Sequence, residues 1–216
     1  MRPQPFPPLY AILDADVAAS AGWAVPALAR ALLDGGARLI QVRMKTAGSA
    51  ALLEGACAVV ALARPCQGTV IVNDRADIAR LAGADGVHVG QDDLSVSAVR
   101  QAWPGLAVVG LSTHTREQVE QAVEAAPDYV AVGPVFDTST KATGYRAVGL
   151  DLVRHAARVH GAGSVARPIV AIGGITLDRA RQVIEAGATS VAVISDLVAA
   201  GDPAARVRQF LDALTG

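Results

Sequence analysis

The sequence predicts an α/β chain folded as a single (β/α)8 TIM barrel, and three observations predict it. Short apolar runs rich in Val and Ile alternate with longer Ala/Leu-rich amphipathic stretches, the pattern of parallel strands covered on both faces. The alternation repeats eight times in 216 residues, which suits a compact barrel of this type. The first strand then runs into Leu13-Asp14-Ala15-Asp16, where an open doubly wound sheet would carry a glycine-rich dinucleotide loop. No linker or low-complexity stretch divides the chain, so residues 1–216 are expected to form one domain. Its active site is expected at the C-terminal ends of the strands.

Strands are predicted at Leu9–Leu13, Arg38–Val42, Thr69–Val72, Gly86–Val89, Ala107–Gly110, Tyr129–Val132, Ile169–Ile172 and Ser190–Ile194. Helices are predicted at Trp23–Asp34, Ser49–Ala63, Arg75–Ala82, Ser95–Ala102, Thr115–Ala125, Leu150–His160, Leu177–Ala186 and Pro203–Leu214. Asp34-Gly35-Gly36, Ala82-Gly83 and Ala186-Gly187 put glycine just past helix ends, where a left-handed residue closes the last turn. Thr115 followed by Gln118 three residues on is a capping box. The Gly-Ala pairs that lead into three of the strands form a weak repeat of helix–turn–strand units.

Hydrophobic residues make up 52% of the chain and charged ones 18%, enough apolar material for one large core. With only 2 Trp, 3 Tyr and 3 Phe, that core must be mostly Ala, Val, Leu and Ile. The formal net charge of −1 argues against bulk electrostatic binding to nucleic acid or an anionic membrane, though not against a local basic pocket. Cys57 and Cys66 lack any partner pattern and read as reduced thiols, which points to the cytoplasm. The opening MRPQPFPPLY has no apolar signal region, and no later stretch has about 20 apolar residues free of charge. The partners expected are therefore small molecules, with no nucleic acid and no membrane; a homo-oligomer is compatible with the sequence.

Each strand end can be read for what it brings to the mouth. Gln41, Arg43 and Lys45 alternate with Val42 and Met44, so two cations and an amide share one strand face and can bind a polyanion. Asp74 and one of Asp92 and Asp93 fall at neighbouring strand ends, where two carboxylates can share one Mg²⁺ with substrate phosphate oxygens. Helices begin after Asp74 and Asp93, so each also reads as a simple helix cap. His88, between valines, reads as a packed core histidine. Ser112, in the run Ser112-Thr113-His114, has no acid at a useful position and reads as a hydrogen-bonding residue. The long connection after Gly133, with its hydroxyl-rich tip and Lys141, has the look of a lid. Gly173-Gly174 and Ile194-Ser195 close the seventh and eighth strands, the usual phosphate position of this fold. Two anion sites at one mouth suggest joining a diphosphate-activated fragment to a phosphorylated one.

These residues resemble the thiamine-phosphate synthase family. The matching segments are Gln41–Lys45, Val72–Arg75, Gly83–Asp93, Gly110–Thr115, Gly133–Lys141, Ile172–Thr176 and Val193–Ser195, running in order through nearly the whole chain. The resemblance implies a transferase that joins hydroxymethylpyrimidine diphosphate to a thiazole phosphate, carboxylated or not, releasing pyrophosphate by an Mg²⁺-assisted dissociative displacement. It implies that Gln41, Val42, Arg43, Met44, Lys45, Asn73, Ser112 and Lys141 bind the pyrimidine diphosphate, with Arg43, Lys45 and Lys141 catalytic. It places Mg²⁺ on Asp74 and Asp93, and the thiazole phosphate on Thr138, Ser139, Thr140, Gly174, Ile194 and Ser195. Two departures fall in the lid: Asp137 stands where the family commonly has proline, and Ala142–Val148 lacks the usual proline before Gly149-Leu150. The alternatives are a thiazole-phosphate tautomerase relative, against which the retained diphosphate and metal set argues, and a non-catalytic thiamine-phosphate-binding homologue. Phosphate-sugar isomerases on the same barrel would need a general base at a strand end, and none stands there.

Overall fold

The computed structural model describes residues 6–138, 146–161 and 166–215. Eight parallel strands close into a barrel in sequence order: β1 Leu9–Asp14, β2 Leu39–Arg43, β3 Thr69–Asn73, β4 Gly86–Val89, β5 Val108–Thr113, β6 Tyr129–Val132, β7 Ile169–Ile172 and β8 Ser190–Val193. β8 returns to β1, pairing Leu9 with Val191 and Ala11 with Val193. The covering helices are α1 Ala15–Ser20, α2 Val25–Asp34, α3 Ser49–Ala63, α4 Ala76–Ala82, α5 Val96–Ala102, α6 Arg116–Ala125, α7 Gly149–Gly161, α8 Leu177–Glu185 and α9 Pro203–Thr215.

The expected (β/α)8 barrel is the fold observed, with two local differences. β5 continues beyond Gly110 because Leu111, Ser112 and Thr113 pair in register with Val130, Ala131 and Val132. An unpredicted short helix, α1, follows β1 because the Asp14 carboxylate accepts hydrogen bonds from the Asp16 and Val17 N–H groups, both at 3.1 Å, and so caps its first turn. The Thr115 box forms with a shifted reach. Thr115 Oγ1 accepts from the Gln118 N–H, while Gln118 Oε1 accepts from the His114 N–H at 2.7 Å, one residue before the cap.

Strand alternation builds two apolar layers. Leu9, Ala11, Leu13, Ile40, Val42, Val70, Val72, Val87 and Val89 face outward and pack under the helices in one continuous core. Tyr10, Ile12, Leu39, Ile71, Tyr129, Ala131, Val170 and Ala192 face inward and fill the barrel. Toward the C-terminal ends the inward positions turn polar: Asp14, Gln41, Asn73, His88 and Ser112 are all buried there. The alternation that packs the floor thus delivers the chemistry at the mouth.

Candidate active site

The charged half of the mouth is built by β1 to β4. Asp14 and Arg43 are direct partners in the β1–β2 register, and their side chains form an ion pair while Asp14 also caps α1. The Arg43 Nε is buried with no partner among the described residues, a donor that calls for an acceptor from a ligand. Asp74, directly after β3, has a left-handed backbone (φ 62°), a strained conformation that an aspartate tolerates better than most residues. Its N–H donates to the His88 carbonyl at 2.8 Å and its carboxylate pairs with Lys45 Nζ.

Asp93 lies opposite. Its carboxylate accepts from the Gly90 N–H at 2.7 Å. Lost hydration pushes its pKa up, the Gly90 bond pulls it down, and the nearby Asp74 charge adds to the rise. Neither aspartate caps the helix that follows it. α4 is entered through Arg75 with no side-chain cap, and α5 is capped by Ser95. That removes the simple-cap reading and leaves two hard oxygen donors facing each other. No group of three metal-ligating side chains occurs among the described residues, and Asp74 and Asp93 are the carboxylate pair they present here. Such a pair fits Mg²⁺, which completes its shell with water and substrate phosphate. Lys45, Asn73, Asp74, His88, Asp92, Asp93 and Ser112 are among the residues that line an open cavity of about 730 Å³.

The second half is built by β5 to β8 around a cavity of about 640 Å³ whose walls include Ser112, Thr138, Gly174, Ile194 and Ser195. The two cavities share Ser112. Gly173 (φ 104°) and Gly174 (φ 62°) hold left-handed backbone, and a Cβ on Gly174 would stand 2.6 Å from the Asp137 carbonyl oxygen. The Gly174 N–H donates to nothing among the described residues and is available to an anion. The glycines do not open α8 directly, since Thr176 is its N-cap and the Asp196 carboxylate accepts from the Leu177 N–H at 3.2 Å. The same carboxylate grips Arg206 of α9 at 2.8 and 2.9 Å, fixing the loop that carries Ser195. Val148 and Gly149 are tied back by backbone bonds from the Val148 N–H to the Pro134 carbonyl and from the Gly149 N–H to the Val135 carbonyl.

Between the halves runs a buried polar chain that the sequence did not disclose. Gln41 Nε2 donates to the Tyr10 hydroxyl at 2.9 Å, and Tyr10 and Tyr129 hydroxyls lie 2.9 Å apart. The Tyr129 hydroxyl meets His88 Nδ1 at 2.8 Å, and His88 Nε2 meets Ser112 Oγ at 2.8 Å. His88 is buried as expected, yet it faces the cavities rather than packing under the helices.

The structure thus brings Gln41, Arg43, Lys45, Asn73, Asp74, Asp93, Ser112, Thr138, Gly174, Ile194 and Ser195 to one mouth. Of the other two residues of the run Gln41–Lys45, Val42 is fully buried in the outer core, which leaves its main chain for a ligand, and the half-buried Met44 packs against that core beside Gly55. Ser139, Thr140 and Lys141 lie outside the described residues. Asp14, Tyr10 and Tyr129 were missed. Carrying the two-residue period to the end of β1 would have put Tyr10 and Asp14 inward, and Gly110 within a strand was a signal of close approach by a neighbour.

Comparison with known proteins shows what the chain is similar to. The thiamine monophosphate synthase family model matches residues 9–197. A thiamine-phosphate synthase of Koribacter versatilis is 43% identical over 214 residues, covering 96% of each chain. Another of Chloroflexus aurantiacus is 42% identical over 202 residues, covering 94% of this chain and 90% of that protein. The solved thiamine phosphate pyrophosphorylase of Pyrococcus furiosus superposes with a TM-score of 0.83 at 31% identity, covering 96% of this chain and 95% of its own. By fold and by sequence, the chain belongs to the thiamine monophosphate synthase family.

Proposed function

We propose a division of labour across the barrel mouth for the family's reaction, with the whole chain working as one catalytic unit. The chain is a transferase that condenses hydroxymethylpyrimidine diphosphate with a thiazole phosphate to give thiamine phosphate and pyrophosphate. In this reading Gln41, Asn73 and Ser112 hold the pyrimidine, while Arg43 and Lys45, with Lys141 from the sequence match, meet its diphosphate. Thr138, Gly174, Ile194 and Ser195, with Ser139 and Thr140, take the thiazole phosphate. Asp74 and Asp93 would carry Mg²⁺, which when bound supplies charge neutralisation to the leaving diphosphate.

The bond from the pyrimidine CH2 to the diphosphate oxygen breaks, and its electron pair leaves with pyrophosphate. The electron-rich aminopyrimidine supports the resulting cation, and the thiazole nitrogen lone pair closes the new C–N bond. No proton has to be taken from the nucleophile, so the step asks for no general base. What the protein supplies is placement and charge. Arg43, tied to Asp14 and with a buried Nε–H that meets no partner among the described residues, is a preorganised donor toward the leaving group. Lys45, held by Asp74, is a second. The glycine-lined cavity holds the nucleophile in line from the other side.

The single observation that carries this reading is that Lys45, Asp74 and Asp93 gather around one cavity, with the Arg43–Asp14 pair on an adjoining cavity and the Gly174 cavity sharing Ser112 with both. The test is pyrophosphate release by the purified chain. Release is expected only with both substrates and Mg²⁺, and a chelator abolishes it. Thermal stabilisation by the substrates without any pyrophosphate would mark a binding protein and overturn the assignment.

A further inference from the structure

We propose that Tyr10, Tyr129 and His88 are positioning residues, a directional relay that decides which of Gln41 and Ser112 offers a donor and which an acceptor to the ligand between them. The proposal rests on the synthase reading only for the identity of that ligand.

The argument is a count of hydrogens. Both phenols are fully buried, and burial raises their pKa values well above the ordinary range, so each keeps its one hydrogen. Each has two neighbours within 2.9 Å: Gln41 and Tyr129 for Tyr10, Tyr10 and His88 for Tyr129. Each must therefore give to one neighbour and accept from the other, and the chain has only two consistent senses. Of the two, the proposed sense is the one in which the Gln41 amide turns Nε2 to Tyr10 and donates to it. Tyr10 then donates to Tyr129, and Tyr129 donates to His88 Nδ1. His88 carries its hydrogen on Nε2 and gives it to Ser112 Oγ, 2.8 Å away. The Ser112 hydrogen is thereby turned to the cavity, and Gln41 Oε1 is left as an acceptor on the facing wall.

The pocket so polarised offers one acceptor from β2 and one donor from β5. That suits a heteroaromatic ring bearing an amino group and a bare ring nitrogen, the hydrogen-bonding character of an aminopyrimidine. The reversed sense would offer the opposite pair and favour the oxo form of such a ring over the amino form. Packing holds the relay rigid: the Tyr129 ring stacks on His88 at 5.5 Å and meets Tyr10 edge-on at 5.8 Å. Gly110, paired with Tyr129 in the β5–β6 register, leaves the room that the phenol needs, since a Cβ there would overlap its ring.

The test is imidazole ¹⁵N NMR on the full-length chain, with the His88 signals identified by their loss in His88→Gln. The wild type is expected to show a protonated Nε2 and a bare Nδ1. In Gln41→Glu, whose ionised carboxylate only accepts, the two signals are expected to exchange. Tyr129→Phe, with Tyr10→Phe as a second break in the relay, is expected to mix the tautomers. Each should raise KM for the pyrimidine diphosphate about tenfold while KM for the thiazole phosphate stays put. A protonated Nδ1 in the wild type overturns the proposal, and so does an unchanged pyrimidine KM in both phenylalanine variants. A wild-type chain that releases no pyrophosphate would instead overturn the synthase reading and leave the tautomer result standing.

Discussion

The two halves of the mouth are equipped by different means for the anions proposed for them. From β2 to β4 the charge is carried by side chains: Arg43 and Lys45 are each tied to an aspartate, and Asp74 sits on strained backbone. From β7 to β8 the offer is backbone, with paired left-handed glycines, a Gly174 N–H that donates to nothing among the described residues, and a loop anchored from behind by Asp196 and Arg206. The difference matches the tasks. A diphosphate that departs with growing charge needs strong, metal-assisted neutralisation, whereas a monophosphate that serves as a handle needs only shape and a few N–H donors. Side-chain substitutions should therefore strike one half and glycine substitutions the other.

The largest expected effect is on the charged half. Asp74→Asn keeps a residue that accepts left-handed backbone but removes one carboxylate of the pair, and should lower kcat/KM about 10²–10³-fold. Much of that loss should be recovered at high Mg²⁺, while the melting temperature barely moves. A melting drop large enough to explain the lost activity would make Asp74 a structural residue instead. At the seam between the halves, Gly110→Ala drives a methyl into the Tyr129 ring, and overpacking of this kind costs about 1–3 kcal/mol in a denaturant melt. Gly174→Ala combines positive φ with a close approach to the Asp137 carbonyl, so the loop must shift. KM for the thiazole phosphate should rise about tenfold, with Mg²⁺ dependence unchanged. If it altered the metal requirement as much as the thiazole KM, the two halves would not be separate devices.

What the sequence disclosed of this site followed the reach of local rules. Gln41, Arg43 and Lys45 share a face by strand period alone, and Gly173-Gly174 announce a turn by residue type. Asp74 and Asp93 read equally well as helix caps, because the distinction depends on Ser95 taking the α5 cap and on the φ of Asp74, neither of which is a pattern in the chain. Tyr10 and Tyr129 stand 119 positions apart, and only barrel closure makes them neighbours. The fold was more legible than the site because each βα unit repeats the same signals. The exceptions, α1 and the longer β5, occur where one residue served two ends: Asp14 ends β1 and caps α1, and Gly110 looked like a strand end while making room for Tyr129.

The smallest effect sharpens the comparison from outside the mouth. His160 of α7 is buried in the helix layer, where its Nε2–H donates to the Val119 carbonyl at 2.9 Å and its Nδ1 has no partner among the described residues. Burial lowers its pKa, and the nearby Arg167 and His155 lower it further against the opposing Val119 bond. Because the folded value lies below the unfolded one, His160 adds no penalty above an unfolded pKa of about 6.5. Stability is then lost as the pH falls through that value toward the folded pKa, since the unfolded chain takes up the proton first. His160→Gln, which keeps a donor for Val119, should melt less steeply with falling pH than the wild type over this window. The pH dependence of pyrophosphate release should be the same in both. If the variant shifts the activity profile as well, the helix layer and the mouth titrate as one system, and the mouth's two halves cannot be treated apart from what covers them.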